Sequence, residues 1–260
     1  MLKQKQAFTM AEILIAMTII GIIAAITIPQ ILGNTSGRAN KLMIQKTYAV
    51  LSQALRIGQS KLDYNTSDVD RIVNKTGAGA PAIELQLSIE NLLKKTMDIE
   101  YLDTKTTHAF SGKLLTLKDD GTLERASADS ATGITVNGSG AGDKRGAIFE
   151  TREGAYYIFP DKSKIAEEAC TKDNPCLVYI DVNGPEAPNM LVTCSTESNT
   201  GYYKWDSTDQ KVKYMKNSTT EAGTCAIDGM KINDVYPVII YGSTVVPALN
   251  AADVILTSHE

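Results

Sequence analysis

The chain has 260 residues, 43% of them hydrophobic and 22% charged, which is enough for one large domain or two small ones. Its formal net charge is -4 and its sequence pI about 5.4, so it offers no broad basic surface and general nucleic-acid binding through phosphate neutralisation is not expected. Apolar residues are concentrated in the first thirty positions, and the remainder is polar.

The first element is an apolar stretch that two lysines, Lys3 and Lys5, precede. No ionisable residue occurs from Ile13 to Pro29. As a helix with a rise of about 1.5 Å per residue, residues 8–32 are long enough to cross a bilayer core of about 30 Å. Positive charge ahead of such a stretch keeps that end in the cytoplasm. We therefore predict a single membrane span, with the rest of the chain on the other side.

The stretch is too long for a secretory signal and has no clear A-x-A cleavage site after it, and a buried core helix is rarely rich in isoleucine on every face. A simple signal anchor fits the hydropathy but leaves one carboxylate near its start, Glu12, unexplained. Deep in a spanning helix, a carboxylate costs about 2.5–3.5 kcal/mol on insertion scales, so a partner is expected. If the chain is cut between Ala7 and Phe8, the new amine of Phe8 lies four residues from Glu12. That amine can pair with Glu12 of a neighbouring copy and set the axial register between copies.

The segment AFTMAEILIAMTIIGIIAAITIP, residues 7–29, resembles the N-terminus of type IV pilins and of the pseudopilins of type II secretion. Five residues match the family pattern in type and spacing, with an alanine where glycine is usual before the cut: Ala7, Phe8, Glu12, Gly21 and Pro29. The resemblance implies that prepilin peptidase removes residues 1–7 and methylates the new amine. It also implies an inner-membrane precursor with a periplasmic C-terminal domain, and later assembly with other pilin or pseudopilin subunits in a filament.

The long helix is expected to continue beyond Pro29. A proline removes one helical hydrogen bond, and the resemblance favours a kink there over the end of the helix. Residues 33–63 are predicted to be its amphipathic second half, with apolar side chains at spacings near three, four and seven: Leu42, Ile44, Tyr48, Leu51, Leu55 and Leu62. This stripe should pack on a globular domain, residues 64–260, giving a pilin-like α+β fold with an antiparallel sheet.

The globular domain begins with a loop, residues 65–81, and a predicted second helix, residues 85–97. Two apolar runs on either side of a glycine-containing turn predict β-hairpins at residues 113–125 and 147–159. Two more apolar runs, residues 177–182 and 236–241, predict strands. The glycine-rich stretch between these hairpins matches no phosphate-binding motif, so no nucleotide site is expected.

Two later segments resemble the C-terminal part of some pilin-like proteins: DVNG with a following PN, residues 181–189, and DVYP, residues 234–237. In those proteins the two segments lie close together. Here residues 190–233 separate them, and we interpret that segment as an insertion. The four cysteines suit disulfides outside the cytoplasm, and three pairings are possible. The insertion favours Cys194 with Cys225, and Cys170 with Cys176.

Asp181, Asn183 and Glu186 place three oxygen donors in one turn. Some pseudopilins bind calcium in a C-terminal loop, so the resemblance allows a calcium site here. The same residue types also form Asx turns that need no metal. No other cofactor is expected.

The sequence favours a structural role over catalysis. It has no nucleophile or metalloprotease motif, and its two histidines, His108 and His259, are far apart. The preferred function is a filament subunit, either a pilin or a pseudopilin. The main alternative is a low-abundance tip subunit whose residues 190–233 contact a surface, DNA or a secretion substrate; a membrane-anchored enzyme is less favoured.

Overall fold

The computed structural model describes residues 10–69, 71–74, 80–102, 106–110, 115–118, 120–125, 132–136, 147–160, 169–186, 188–194, 202–216, 220–221, 225–227 and 232–257. Ala7 and Phe8, the predicted cleavage site, lie outside these residues, as does His259. Within the first helix, the side chains of residues 26–36 are likewise outside the description.

The described residues contain three α-helices: α1 (Met10–Ile57), α2 (Ile89–Thr96) and α3 (Asn250–Thr257). Helix α1 has 48 residues and continues through Pro29, as the resemblance implied. A single π-helical turn, Gly58–Leu62, follows it. Helix α2 begins later than predicted because the Ser88 side chain accepts a hydrogen bond from the Asn91 amide and so caps the helix at residue 89.

Thirteen strands lie in the described part of the chain: β1 (Ile99–Tyr101), β2 (Thr106–Phe110), β3 (Leu115–Leu117), β4 (Thr122–Arg125), β5 (Thr132–Val136), β6 (Ala147–Thr151), β7 (Tyr156–Phe159), β8 (Cys176–Asp181), β9 (Tyr202–Asp206), β10 (Lys211–Lys216), β11 (Thr220–Glu221), β12 (Val235–Tyr241) and β13 (Thr244–Pro247). Every pairing between them is antiparallel. Both predicted hairpins, β3–β4 and β6–β7, are confirmed.

The central sheet has six strands in the order β1-β6-β7-β8-β12-β13. All residues of β7, β8 and β12 are buried, which requires both faces of the sheet to be covered. Tyr157, Ile180 and Tyr236 are aligned across these three strands and face α1. Neighbouring residues face the other way, and the Tyr179 hydroxyl bonds both the amide and the carbonyl of Leu115 in β3. The core therefore lies on both sides of this sheet.

The second sheet combines two distant parts of the chain in the order β11-β10-β9-β4-β3. Leu123 of β4 pairs with Tyr203 of β9, and the Trp205 amide donates to the Gly121 carbonyl over 2.7 Å. The Trp205 ring packs on Tyr241 of the central sheet, with 5.4 Å between ring centroids. Residues from the proposed insertion are therefore part of this sheet and contribute to the core. A separate pair, β2 and β5, forms a two-stranded sheet.

Half of the predicted stripe on α1 is deeply buried, namely Ile44, Leu51 and Leu55, while Tyr48 and Leu62 are partly buried against the core. The prediction for Leu42 is wrong, because 66% of this residue is exposed. Successive helical residues differ by about 100°, so Leu42 points about 200° away from Ile44 and the two cannot share the buried face.

Candidate functional site

The N-terminal part of α1 presents large apolar side chains to solvent on all of its faces. Their exposed fractions run from 45% for Ile13 to 80% for Met10. The set consists of Met10, Ile13, Leu14, Ile15, Met17, Ile19, Ile20, Ile22 and Ile23. An apolar surface of this extent marks a site of interaction with protein or lipid. We refer to residues 10–23 as the exposed segment.

Two of the predicted assembly residues lie on the exposed segment. Glu12 is in the first turn of α1, where the helix dipole favours a negative charge. A Cβ atom added at Gly21 would meet nothing within 4 Å, so the fold of a single subunit does not require glycine there. Their roles between subunits stay predictions, as does that of Pro29. Within the described residues, no helix is both long and apolar enough to span a membrane.

Buried tyrosine hydroxyls attach the second half of α1 to the central sheet. The Tyr236 hydroxyl lies 2.9 Å from Thr47 Oγ1 and donates to the Ile44 carbonyl, and the Tyr157 hydroxyl donates to the Thr47 carbonyl over 3.0 Å. Burial raises the pKa of both tyrosines well above the ordinary value, so both hydroxyls stay protonated. The sequence analysis missed Thr47; the signal was a threonine at helical spacing between Ile44 and Leu51.

Three further side chains of α1 donate to carbonyl groups near the C-terminus: Asn40 to Ile232, Gln45 to Ile255 and Tyr48 to Val245. Outside this row, Lys46 pairs with Glu153. Hydrogen bonds are directional, so this row fixes both the rotation and the axial position of α1 on the domain.

A buried carboxylate joins the two pieces that the resemblance placed together. Asp234, which is fully buried, accepts hydrogen bonds from the amides of Asn189 at 2.9 Å and Met190 at 2.8 Å. The Val182 amide donates to the Asp234 carbonyl over 3.1 Å. The DVNG turn therefore lies against the start of β12 although residues 190–233 come between them.

We expect Asp234→Asn to lower the free energy of unfolding by about 2–3 kcal/mol. An amide has a single acceptor oxygen, so its NH₂ group would face one of the two backbone amides, and hydrogen bonds to a charged group contribute about 1.5–3 kcal/mol. Urea denaturation of the detergent-solubilised protein measures this loss. The exposed Asp173→Asn variant is the control; an equal loss in both variants would contradict a special role for Asp234.

The three candidate calcium ligands lie close together at the end of β8, and two hydrogen bonds join them. An Asp181 carboxylate oxygen accepts from the Asn183 amide over 3.2 Å, and the Asn183 side chain donates to the Glu186 carbonyl over 3.0 Å. The described residues include no group of three His, Cys, Asp or Glu side chains placed to hold a metal ion. This arrangement favours the Asx-turn alternative. Calcium binding stays the untested alternative to the Asx turn.

Chelation tests that alternative directly. We expect EDTA to leave the Tm unchanged, because the turn is already closed by its own hydrogen bonds. A calcium ion present at a hundredfold excess over its Kd would stabilise the fold by about 2.7 kcal/mol, a shift of several degrees. A fall of that size on adding EDTA, reversed by calcium and not by magnesium, would establish a calcium site.

Both disulfides match the pairing that the insertion favoured. Cys170 is joined to Cys176 and Cys194 to Cys225, so no cysteine is free. The first bridge closes a short loop, and the Trp205 indole donates to the Lys172 carbonyl in that loop over 2.9 Å. The second bridge encloses β9, β10 and β11. Disulfides of this kind persist in oxidising compartments.

The structure thus defines an α+β protein with a long, exposed N-terminal helix on an antiparallel sheet. Comparison with family models identifies residues 2–28 as the prokaryotic N-terminal methylation motif. This motif is the signature of type IV pilins and pseudopilins, and it spans Ala7, Phe8, Glu12 and Gly21. It implies a membrane-anchored precursor that prepilin peptidase processes and that assembles with pilin subunits. Comparisons with curated proteins and with solved structures gave no match.

Proposed function

We propose that this protein is a structural subunit of a type IV pilus-like or type II secretion filament. The observation that carries the proposal is the exposed segment, which bears the methylation motif and whose large apolar side chains are 45% or more exposed. A stable protein needs a partner for such a surface, either lipid before assembly or identical helices afterwards. Pilin families are structural, and we expect no catalytic activity.

The exposed segment supplies the energy of assembly. Each large apolar side chain buried against water contributes about 1.5–3 kcal/mol, so the segment holds a filament together once the subunit has left the membrane. Within lipid this driving force is weak, and packing must select the arrangement. The charge pair between Glu12 of one copy and the Phe8 amine of the next then sets the axial register, because an unpaired charge in an apolar bundle is heavily penalised.

Before assembly the precursor lies in the inner membrane as a single-pass protein, with its N-terminus in the cytoplasm and its domain in the periplasm. Lys3 and Lys5 support this orientation. The disulfides Cys170–Cys176 and Cys194–Cys225 support it independently, because they require an oxidising compartment for the domain. After extraction the domain is exposed on the filament surface.

A second role, as a low-abundance tip subunit, is favoured by one observation. The segment after Met190 carries a disulfide and three strands of the second sheet, so residues 190–233 include an ordered surface structure that can contact a surface, DNA or a secretion substrate. Copy number per filament, measured by quantitative mass spectrometry, distinguishes the two roles. An abundant subunit indicates the structural role, and a few copies indicate the tip.

N-terminal sequencing of the mature protein is the direct test. We expect it to begin at Phe8, with a methylated amine. Mature protein that begins at Met1 would overturn the proposal and favour a permanent membrane anchor, the form that a membrane-anchored enzyme would take.

A further inference from the structure

A second group of exposed apolar side chains lies in the turn that precedes α2. Ile83 is 51% exposed, Leu85 77% and Leu87 45%, and they alternate with the buried Gln86 and Ser88. We refer to residues 81–87 as the apolar turn. Elsewhere in the described globular part, large apolar residues are exposed only at Leu42, Val50 and Met190.

Buried amides hold the apolar turn in place. The Asn91 side chain donates to the carbonyls of Ile83 and Gln86, and the Gln86 side chain donates to the Pro81 carbonyl over 3.0 Å. Asn91 is itself only 4% exposed.

Two more buried side chains, Asn74 and Ser88, hold Asn91 in place through hydrogen bonds. Its side-chain oxygen accepts from the Asn74 amide group over 3.1 Å, and the Ser88 hydroxyl donates to the side-chain oxygen of Asn74 over 2.6 Å. The apolar side chains are therefore presented outward by a rigid backbone. Such a surface binds a partner with little loss of conformational entropy.

The exposed face of α1 is the surface that complements the apolar turn. Leu42 and Val50 lie on it, eight residues apart and hence within about 80° of each other around the helix. No acidic residue occurs between Glu12 and Asp63, whereas Arg38 and Arg56 are exposed on the same face. Lys46 also lies on this face, but its charge is paired with Glu153 of the same subunit. The apolar turn has the opposite charge, since Glu84 is its only ionisable residue.

The two surfaces lie at different heights along the subunit. Leu92 of α2 packs on Gly58, where an added Cβ would lie 3.1 Å from the Leu92 side chain, so the apolar turn lies near the C-terminal end of α1. Leu42 and Val50 precede Gly58 by 16 and 8 residues, or about 12–24 Å along the axis. Contact between the two surfaces therefore requires a neighbour that is displaced along the axis, as a filament provides.

We propose that the apolar turn of one copy docks on the Leu42–Val50 face of α1 in a neighbouring copy. The inference rests on the proposed filament function and names the contact between globular parts. It is a head-to-tail contact between two different surfaces, the kind that builds open helical assemblies and does not close into a dimer. Apolar burial supplies the attraction, and the unlike charges orient it.

Cysteine cross-linking in intact filaments tests the contact, and the chain is suited to it because all four native cysteines are in disulfides. The double variant Leu85→Cys with Val50→Cys is expected to give a ladder of covalent multimers on oxidation. Each single variant should give no ladder. The control pair, Leu85→Cys with Thr208→Cys, joins the turn to an exposed hairpin elsewhere and should give no ladder either.

Filaments that form but show no cross-link between positions 85 and 50 would overturn the contact and leave the proposed function standing, as would equal cross-linking of the control pair. A wild-type chain that keeps Met1 and forms no filament would overturn both. If the cysteine pair blocks assembly, the Leu85→Ser variant tests the contact instead. We expect it to lower the filament yield about tenfold while leader processing and the Tm stay unchanged. An unchanged yield, or cross-linking of the Leu85→Cys variant to a different protein, would contradict docking between copies.

Discussion

Replacement of Glu12 by alanine is expected to lower filament yield by more than tenfold, while membrane insertion and cleavage of the leader continue. If Glu12 pairs with the Phe8 amine of a neighbour, as proposed, loss of the carboxylate leaves that amine uncompensated among apolar helices. Breaking one side of a buried pair costs about 3–5 kcal/mol, and each 1.4 kcal/mol is a factor of ten in an equilibrium. Immunoblots of sheared filaments and of the membrane fraction measure the two quantities separately.

Thr18→Ala is the matched control on the same segment. The Thr18 hydroxyl donates to the Leu14 carbonyl of its own helix over 2.7 Å, so its loss should leave contacts between subunits intact. If Glu12→Ala cells produce normal amounts of filament, the charge pair does not set the register. If both variants lose filaments equally, the exposed segment tolerates no change and Glu12 has no special part.

Gly184→Ala is expected to lower the free energy of unfolding by about 3 kcal/mol or more. Gly184 has φ +66, and an added Cβ would lie 2.6 Å from the Gly154 carbonyl oxygen and 3.3 Å from the Tyr156 ring. The left-handed backbone alone costs a non-glycine residue about 1–2 kcal/mol, and the clash with a backbone atom adds to it. The midpoint of urea denaturation reports the loss.

Gly154→Ala separates the two causes. Gly154 has φ +84, but a Cβ there would meet nothing within 4 Å, so only the backbone term applies, about 1–2 kcal/mol. A larger loss of unfolding free energy for Gly184→Ala than for Gly154→Ala would confirm that the DVNG turn packs closely on the β6–β7 hairpin. Equal losses would show that the DVNG turn shifts to accommodate the added Cβ atom and that its contact with the hairpin is not close.

Local features of the fold were predictable from the sequence. The β3–β4 and β6–β7 hairpins were recognised because their turns contain Gly121 and Gly154, both of which adopt positive φ in the structure. The N-terminal motif was recognised for a similar reason, since the spacing of Ala7, Phe8 and Glu12 is itself local. The disulfide pairing could not be predicted from local spacing alone. It followed from the interpretation of residues 190–233 as an insertion.

Other features, most of them non-local, were missed. The apolar spacing on α1 suggested Leu42 as a buried residue, yet the helix turns it to solvent and buries Thr47, which two sheet tyrosines bond. Nothing in the strand pattern indicated that β9 pairs with β4, because strand pairing depends on the path of the intervening chain. The last three residues of the apolar turn, residues 85–87, were likewise predicted to be the start of a helix.

By itself the sequence determined the long helix, its processing motif and the positions of the hairpins, because helical period, charge placement and turn chemistry act over a few residues. The tertiary structure alone decided which side chains remain outside the core. Exposure depends on what packs against each face, and in the part of the chain that the structure describes nothing covers the exposed segment or the apolar turn. We propose that this uncovered surface is where the subunit meets its neighbours in a filament.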